Sequence, residues 1–334
     1  MHTFLCCFSL SLPPSCSSSP PLSPPLSHLS HLSMSMMRAM MRTAAAPLLA
    51  TLARSTLRTL STTAPLLAER SAVVSDIDGV LLRGDRVIPG VPDAMKKLKD
   101  SDIPLIFITN GGGVPEDAKA EQLSKLLDYD VRPEDVILSH TPMRDLGKKH
   151  ENDLVLVAGH RNEAEVAEAY GFKNFKLMED YSRENPFLWF VDTKKHLAAL
   201  NREGAHPSDF PPEPVKAIVV FTDPDSWGRD LQIMTDVLRS TGVPGEESSE
   251  QVVPIYCSNP DFVWMSEFSV PRFAQGAFTQ CLRMLYRQAT GRELEVTQYG
   301  KPMPGTYHYA ESLLEKNDGK CGWKGSARRH LRHR

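Results

Sequence analysis

Apolar runs and amphipathic stretches alternate from residue 71 to about residue 150. The apolar runs lie in SAVVSDID, IPLIFITN and DVILSH, and each is short enough to be a buried strand. Amphipathic stretches that begin at Pro92 and Pro115 fill the intervals, and their spacing predicts helices. Buried strands that alternate with helices are typical of a parallel sheet covered on both faces. This part of the chain is therefore predicted to have an α/β fold.

The same alternation resumes in the middle of the chain, between residues 151 and 294. Predicted strands lie in DLVLVAGH, VKAIVVFTDP and VVPIYCSNPD, and a helical stretch follows each of them. Two of these helices are predicted to end at Gly171 and Gly291, since glycine readily adopts the left-handed conformation that closes a helix. The region has enough material for a second α/β unit. A short strand, a Gly-Lys-Pro turn and a helix follow, up to about residue 316.

Composition and charge narrow the function classes. The chain has 334 residues, of which 41% are hydrophobic and 24% are charged, as is ordinary for a soluble globular protein. This length favours about two domains. A net charge of −3 gives no reason to expect nucleic acid as a partner. No run approaches the ~20 apolar residues of a transmembrane helix, so no transmembrane segment is expected.

The first 68 residues differ from the rest, because they contain no Asp, Glu or Lys. Residues 37–68 combine Arg with Ser, Thr and small apolar residues, which is the composition of a mitochondrial transit peptide. The stretch before them is a low-complexity leader, too rich in Pro and Ser to pack. We expect the natural start at one of the methionines between residues 34 and 41, and import into the mitochondrial matrix. The alternative is a disordered tail that carries no address.

Candidate chemistry lies at the ends of the first two predicted strands. Asp76 and Asp78 end the first strand, and the second strand runs into Thr109 and the glycines at 111–113. Ligands of parallel α/β sheets bind at the carboxyl ends of the strands, so these residues would face one site. The two aspartates have a plainer alternative as ordinary turn acids. The glycines alternatively suggest a dinucleotide loop, although no G-x-G-x-x-G sequence follows the first strand.

A third piece, Lys301 in the sequence YGKP, completes an ordered set with DIDG and the FITN strand end. This set resembles the first three motifs of the haloacid dehalogenase (HAD) superfamily of phosphohydrolases. Only 33 positions separate Asp76 from Thr109, whereas 192 separate Thr109 from Lys301, so an inserted unit fits only after the second motif. That arrangement is similar to subfamily IIA, the NagD-like type. Stretches such as SHTPMRDL and YCSNPDFVW resemble its mitochondrial branch, which includes the cat-eye-syndrome-critical-region protein.

The resemblance covers residues 71 to 316 and implies a Rossmann-like parallel-sheet core with an inserted α/β cap of the C2 type. The expected organisation is a leader and transit peptide (1–70), a first core part (71–150), the cap (151–294), a second core part (295–316) and a basic unstructured tail (317–334). In subfamily IIA the cap often carries a dimer face. A homodimer through the cap is therefore a further expectation.

The resemblance also implies a reaction through an aspartyl-phosphate, with Mg²⁺ as cofactor and a small phosphate monoester as substrate. Asp76 would be the nucleophile and Asp78 the general acid and base. The Asp76 carboxylate and the main-chain carbonyl of Asp78 would hold the Mg²⁺, which prefers oxygen ligands. The other implied site residues contact the phosphoryl group, Thr109 and Lys301 as catalytic groups and Gly79, Asn110 and Gly111 as phosphate-binding residues. The mitochondrial branch adds a link to glycerophospholipid metabolism.

The chain departs from the family pattern after Lys301. The family's fourth motif is an apolar strand followed by Gly-Asp and a second Asp, which complete the magnesium site. Here only Glu311, Glu315 and Asp318 offer carboxylates, and none of them follows an apolar strand. We therefore expect a C-terminally incomplete core in which the strand AVVS forms a sheet edge. Two functional hypotheses follow: a magnesium-dependent phosphohydrolase, or a relative that only binds phosphorylated ligands.

Four further positions bear on the predicted site. FTDPD and SNPD place Asp225 and Asp261 just beyond strands, where they would face the core and select the substrate, or alternatively cap helices. Ala274 in PRFAQGAF occupies the place of the first glycine of a G-Q-G sequence in relatives, which argues against close approach of the backbone to a ligand there. For Lys301 the alternative is a solvated surface lysine.

A fusion of residues 34–70 to a fluorescent reporter is expected to enter mitochondria and to be trimmed near its Ser/Thr- and Ala-rich end. The reason is that the segment is basic and contains no acidic residue up to residue 68. Colocalisation with a mitochondrial marker and the reporter's size on a blot measure the result. In a control fusion the five arginines of the segment become glutamine, and this fusion should stay in the cytosol. A uniform cytosolic signal from the unchanged fusion would contradict the prediction.

Overall fold

The computed structural model describes residues 72–101, 103–160, 162–266 and 268–320. All of these residues belong to one compact unit of the chain. The predicted leader and transit peptide, and residues 321–334 of the predicted tail, lie outside the described residues. Within the described ranges no helix is both long enough and apolar enough to cross a membrane.

The strands form two parallel sheets and two short antiparallel hairpins. They are β1 (Val73–Ser75), β2 (Leu82–Arg83), β3 (Arg86–Val87), β4 (Leu105–Ile108), β5 (Val136–Ile137), β6 (Val155–Ala158), β7 (Phe175–Leu177), β8 (Ala217–Val220), β9 (Ile255–Cys257), β10 (Val263–Trp264), β11 (Arg272–Phe273) and β12 (Val296–Gln298). One sheet has three strands in the order β1-β4-β5, and the other has five in the order β12-β9-β8-β6-β7. The hairpins are β2-β3 and β10-β11.

Helices connect and cover these sheets, so the predicted α/β fold is confirmed. They are α1 (Val91–Asp100), α2 (Glu116–Leu127), α3 (Asp145–Lys149), α4 (Glu163–Ala169), α5 (Met178–Glu184), α6 (Thr193–Ala199), α7 (Trp227–Leu238), α8 (Gln275–Thr290) and α9 (Pro304–Lys320). Gly171 and Gly291 have φ angles of +83° and +72° beyond α4 and α8, as predicted for helix ends. The Pro-rich segment between α4 and β8, which the pattern marks as irregular, contains β7, α5 and α6.

Alternate residues of the three-stranded sheet face opposite layers of helices. Leu105 and Phe107 pack with the apolar residues of α1 and α2, whereas Ile106 and Ile108 pack with Ala310 and its neighbours on α9. All four strand residues are buried. Helices therefore cover both faces of this sheet, and the sheet with these helices is called the three-stranded unit. The helix α9 brings the segment just before it to the ends of the strands.

The five-stranded sheet and the helices packed on it, together called the five-stranded unit, have a larger apolar core. Helices α5, α7 and α8 pack on one face of the sheet and contribute the fully buried rings of Tyr181 and Phe278. The helix α4 packs on the other face, together with Tyr170 and Phe221. The strands β6 and β8 pair over four residues and β8 and β9 over three, all in parallel, so the carboxyl ends of the three central strands lie at one edge.

The packing differs from the sequence-based boundaries in three places. Met143 and Leu146 pack against the five-stranded sheet, although the sequence assigns them to the first core part. β12 pairs with β9 in the five-stranded sheet, although the sequence assigns residues 295–316 to the second core part. Residues 317–320 are helical within α9, although an unstructured tail is expected there. The cause is that short segments between two units pack on the nearest apolar surface, which a linear pattern does not reveal.

β1 lies at an edge of its sheet, as the sequence predicts. Val73, Val74 and Ser75 pair with β4, and no other strand of the described residues pairs with β1. An open groove of about 330 Å³ lies alongside β1 and α1. Backbone groups on an unpaired edge have no strand partner to protect them. The strand that leads into Asp76 is therefore held from one side only.

We expect the amides of β1 and β5 to exchange with solvent faster than those of β8 and β9. The physical reason is that β1 and β5 are the outer strands of a three-stranded sheet, whereas β8 and β9 are each paired on both sides. Native-state hydrogen exchange measured by mass spectrometry tests this. β7 is the control, because it is an outer strand of the larger sheet and should exchange at an intermediate rate. Equal protection of all these strands would show that the two sheets unfold as one unit.

Candidate active site

Asp76 and Asp78 follow β1 on either side of Ile77, whose side chain is fully buried. The carboxylate of Asp76 accepts a hydrogen bond from the Ile77 N–H at 2.8 Å. Gly79 then turns the chain with a φ of +79°, a conformation that favours glycine, and its N–H donates to Leu82 O at 2.7 Å. The turn thus presents two carboxylates beyond the end of a strand, as the sequence predicts.

Thr109 and Gly111 lie next to Asp78 at the end of β4. The Thr109 hydroxyl donates to Asp78 Oδ2 at 2.9 Å and accepts from the Gly111 N–H at 2.9 Å. A Cβ atom on Gly111 would stand 3.2 Å from Asp78 Oδ2, so a side chain here would crowd that carboxylate. The parallel pairing of β1 with β4 brings these groups together, because it places both strand ends at the same edge.

Lys301 enters the same site from the loop before α9. Its Nζ lies 2.6 Å from Asp76 Oδ2 and also donates to the main-chain carbonyl of Ile108 at 3.3 Å. Lys301 is 9% exposed, so the alternative of a solvated surface lysine is wrong. An ammonium group at this distance neutralises the charge of Asp76 and would attract a phosphate dianion to the same place.

The side chain of Asn110 joins the loop that contains Lys301 to the end of β4 through two hydrogen bonds. Its Nδ2 donates to Lys301 O at 2.9 Å, and its Oδ1 accepts from the Lys301 N–H at 2.7 Å. Both main-chain groups of Lys301 are therefore held by one amide side chain that is 9% exposed. The sequence resemblance implies only a phosphate contact for Asn110. The position of a buried amide directly after the predicted strand was the one signal for this second role.

Asp261 of the five-stranded unit also faces the site. Burial raises the pKa of its carboxyl, the Asn110 side chain and the Lys301 charge lower it, and the Asp76 charge raises it. The helix-capping alternative does not hold for either acid in question. The residues at the N-cap positions of α7 and α8 are Ser226 and Ala274, so neither Asp225 nor Asp261 occupies a capping position.

A glycine is required close to this acid, but not at position 274. A Cβ atom on Gly276 would stand 2.2 Å from Pro260 O and 2.6 Å from Asp261 O. The Gly276 N–H donates to Asp261 O at 2.8 Å. Ala274 has an extended backbone that accepts a side chain. The close approach in the sequence PRFAQGAF is therefore between two segments of this chain, and it fixes the place of Asp261.

A buried polar network lies behind the loop at 110–113, and the sequence analysis did not identify it. Its members are Glu116, His140, Thr141, Arg144 and Tyr170. Three of them, Glu116, His140 and Tyr170, are each at most 6% exposed. Burial lowers the pKa of His140 to about 4, against the charge of Glu116, which raises it. The imidazole is therefore neutral at neutral pH, and its two nitrogens differ in role.

The oxygen atoms around Asp76 and Asp78 fit a hard divalent cation. Carboxylate and main-chain carbonyl oxygens are the ligands that Mg²⁺ prefers. In the part of the chain that the structure describes, no group of three or more His, Cys, Asp or Glu side chains could hold a metal ion. The oxygen atoms that the described site offers to a divalent cation are those of the Asp76 carboxylate and of the Asp78 main-chain carbonyl.

Taken together, the site has a negatively charged nucleophile candidate, a second carboxylate for proton transfer, a hydroxyl donor and an ammonium group. Three of these groups come from the three-stranded unit, and Lys301 comes from the loop after β12. The distances of 2.6 to 2.9 Å that join them are those of direct hydrogen bonds and ion pairs. Such an arrangement suits the binding and transfer of a phosphoryl group.

Comparison with known proteins gives a consistent result. A family model described as haloacid dehalogenase-like hydrolase matches residues 73–173. A mitochondrial hydrolase of Saccharomyces cerevisiae is 36% identical over 268 residues, which cover 76% of this chain and 74% of that protein. A cardiolipin synthase (CMP-forming)/mitochondrial hydrolase fusion protein of Schizosaccharomyces pombe is 36% identical over 281 residues, which cover 81% of this chain and 46% of the fusion.

Among solved structures, a possible sugar phosphatase of the HAD superfamily from Cytophaga hutchinsonii has a TM-score of 0.52. It is 18% identical, and the match covers 75% of this chain and 74% of that one, so it supports the fold alone. The match to the yeast hydrolase extends over most of both proteins. The sequence resemblance is confirmed at this level: the chain belongs to the haloacid dehalogenase-like hydrolases.

Proposed function

We propose that this chain hydrolyses a small phosphate monoester through a covalent aspartyl-phosphate on Asp76. The observation that supports this most is the ion pair of 2.6 Å between Asp76 and the buried Lys301 ammonium at the end of β1. A carboxylate held in this way is aimed by its partner and cannot rotate freely. Asp78 stands two residues further on, where its proton can reach a leaving group.

The proposed reaction has two steps. An oxygen of Asp76 attacks phosphorus, the bond to the leaving oxygen breaks, and Asp78 gives its proton to that oxygen, so an alcohol departs. Water then attacks the phosphorus of the aspartyl-phosphate, and Asp78 takes a proton from this water. The second step releases inorganic phosphate and restores the Asp76 carboxylate. Lys301 compensates negative charge on the phosphoryl oxygens during both steps.

Thr109 and the loop that follows it are the proposed phosphate contacts, together with Gly79. In the structure the Thr109 hydroxyl donates to Asp78, and the Gly111 N–H donates to Thr109. Binding a phosphoryl oxygen therefore requires that the hydroxyl turn away from Asp78. This exchange also frees the Asp78 carboxyl for proton transfer. Asn110 contributes its main chain, since its side chain is occupied by Lys301.

The proposed cofactor is Mg²⁺, held by the Asp76 carboxylate and the Asp78 main-chain carbonyl. When bound, such an ion reduces the repulsion between an anionic nucleophile and an anionic phosphate. The hard oxygen atoms of this site support the choice of Mg²⁺ over a softer metal. The incomplete fourth motif of the sequence analysis remains part of the proposal, because no third acidic or imidazole group joins these two within the described ranges.

A link to glycerophospholipid metabolism and a mitochondrial location are the finer parts of this proposal. Two relatives carry the words mitochondrial hydrolase in their names, and one of them is fused to a cardiolipin synthase. The acid-free N-terminal segment agrees with the matrix as the compartment. A homodimer through the cap is also proposed. The exposed apolar side chains of the β10-β11 hairpin, such as Phe262, Trp264 and Phe273, favour that face.

A second candidate function is binding of phosphorylated ligands without hydrolysis. It is favoured by the small number of possible metal ligands. Among the described residues, two acidic side chains, Asp76 and Asp78, lie at the proposed reaction centre, and Asp261 lies farther from it. Binding needs the hydroxyl, amide and ammonium groups, whereas turnover also needs the cation. The two candidates therefore differ in turnover and agree in phosphate affinity.

The variant Asp76→Asn is expected to lose at least about a thousandfold in kcat on p-nitrophenyl phosphate, because an amide is a far weaker nucleophile than a carboxylate. Steady-state kinetics of the full chain with Mg²⁺ measures this. Asp85→Asn is the matched control, since Asp85 is an exposed acid in the same segment, and it should keep its activity. Activity retained in Asp76→Asn would refute the nucleophile. Phosphate binding by an inactive unchanged chain would favour the second candidate.

Removal of divalent cations with a chelator is expected to abolish hydrolysis, and added Mg²⁺ should restore it. The physical reason is that two anions must approach each other at Asp76, and Mg²⁺ shields their charges. Initial rates across a Mg²⁺ titration give the apparent affinity. A parallel titration with Zn²⁺ is the control, because a site made only of oxygen atoms should prefer the harder ion. Full activity in chelator would rule out the metal.

A further inference from the structure

The loop from Asn110 to Gly113 lies directly on the ring of His140. A Cβ atom on Gly112 would stand 2.7 Å from Cδ2 of that ring, so a residue with a side chain does not fit. Gly113 has a φ of +83°, in the region that favours glycine. Contact with Asp78 explains Gly111, contact with His140 explains Gly112 and the positive φ explains Gly113, so no dinucleotide is needed to account for these glycines.

Three hydrogen bonds join this loop and the preceding Thr109 to β5 and the segment that follows β5. The Thr109 N–H donates to Ile137 O at 3.0 Å, and the Ser139 N–H donates to Gly111 O at 3.2 Å. The Gly113 N–H donates to Nε2 of His140 at 3.2 Å. The first two contacts are between main-chain atoms of neighbouring strand ends. Only the third depends on a side chain, so His140 is the member that a substitution can test.

The hydrogen bond from Gly113 determines which groups donate and which accept along His140, Tyr170 and Glu116. These three side chains are called the relay. Because Nε2 of the neutral imidazole accepts, the ring must carry its proton on Nδ1. Nδ1 lies 2.7 Å from the hydroxyl of Tyr170 and therefore donates to it. The Tyr170 hydroxyl then donates its own proton to Glu116 Oε1 at 2.6 Å. In this arrangement His140 and Tyr170 each donate one hydrogen bond and accept one, and Glu116 accepts.

The carboxylate of Glu116 anchors the relay. Thr141 donates to its Oε1 at 2.8 Å, and Arg144 donates to its Oε2 at 2.9 Å. Burial opposes the charge of Glu116, but the Tyr170 hydroxyl and the Arg144 guanidinium outweigh it and hold the pKa below its ordinary value. The end of the relay is thus a fixed negative charge that requires a donor from Tyr170.

Tyr170 connects this relay to the five-stranded unit. It follows α4 and packs against Phe221 of that unit, with ring centroids 5.8 Å apart. Its main chain is fixed as well, because a Cβ atom on Gly147 would stand 1.8 Å from Tyr170 O. Glu116 and His140 belong to the segments that follow β4 and β5 of the other sheet. The relay therefore joins the two units directly behind the loop.

We propose that His140, Tyr170 and Glu116 form a positioning relay that holds the loop 110–113 ready to receive a phosphoryl group. Through the relay, the conformation of the loop depends on how the five-stranded unit packs against the three-stranded unit. The three side chains touch neither Asp76 nor Asp78 and act only through the loop. This inference rests on the proposed function, since that proposal assigns phosphate contacts to the loop.

Four variants of the full chain test the relay. His140→Leu removes the acceptor for Gly113, whereas His140→Gln places an oxygen atom near the position of Nε2. Tyr170→Phe removes one hydroxyl from the relay. Tyr181→Phe is the matched control, because Tyr181 is a fully buried tyrosine whose hydroxyl donates to Glu213 O at 3.3 Å, away from the loop. Each variant is measured for orthophosphate affinity, for exchange of the amides of residues 109–114 and for kinetics on p-nitrophenyl phosphate.

We expect His140→Leu and Tyr170→Phe to weaken orthophosphate binding by about tenfold, as the loss of one buried hydrogen bond implies. Amide exchange of the loop should become faster in both, and KM should rise more than kcat falls. His140→Gln should stay within about threefold of the unchanged chain, because the acceptor is restored. Tyr181→Phe should lower thermal stability without changing phosphate affinity or loop exchange.

The relay is refuted if Tyr170→Phe and Tyr181→Phe affect phosphate affinity and loop exchange equally. It is also refuted if His140→Gln is no better than His140→Leu, since the acceptor would then be irrelevant. Should His140→Leu fail to fold, Tyr170→Phe decides the question, because it changes no volume beyond one hydroxyl. If the unchanged chain binds no orthophosphate, the proposed function is wrong, and loop exchange alone then decides the relay.

Discussion

The ion pair between Asp76 and Lys301 is the interaction on which the rest of the site depends. It joins two residues that lie near opposite ends of the described chain, and 2.6 Å separates their partly buried charged groups. Such a pair is not a large source of stability, because removing both charges from water costs about as much as their attraction returns. The pair contributes by fixing the positions of the two charged groups. Without Lys301, the carboxylates of Asp76, Asp78 and Asp261 would face one another without a compensating cation.

Several features of the fold serve to keep that pair in place. Asn110 binds both main-chain groups of Lys301, and the packing of α9 on the three-stranded sheet carries the lysine to the strand ends. Gly276 allows the main chain at Asp261 to approach closely. The edge position of β1 is the weak element, because the strand that leads into Asp76 is paired with β4 alone among the described residues. Support from the Lys301 side partly compensates for this.

The two units meet through polar contacts as well as apolar ones, which has a consequence for regulation of the site. An apolar interface tolerates small shifts, whereas a chain of directed hydrogen bonds loses a buried partner when it shifts. The relay from Gly113 through His140 and Tyr170 to Glu116 is of the second kind. Movement of the five-stranded unit would therefore change the loop 110–113 before it disturbed the apolar cores.

The sequence by itself determined the α/β class, nearly all the longer helices and strands, and the set Asp76, Asp78, Thr109 and Lys301, because apolar periodicity and local turn residues act over short stretches. Tertiary structure alone decided where β12 and the segment around Met143 pack, and which contacts Asn110 and Asp261 make. It also created the His140 relay. The physical reason is that these contacts join residues far apart in the chain, and burial, which gives a histidine or an amide its role, is a property of the folded packing and not of neighbours in sequence.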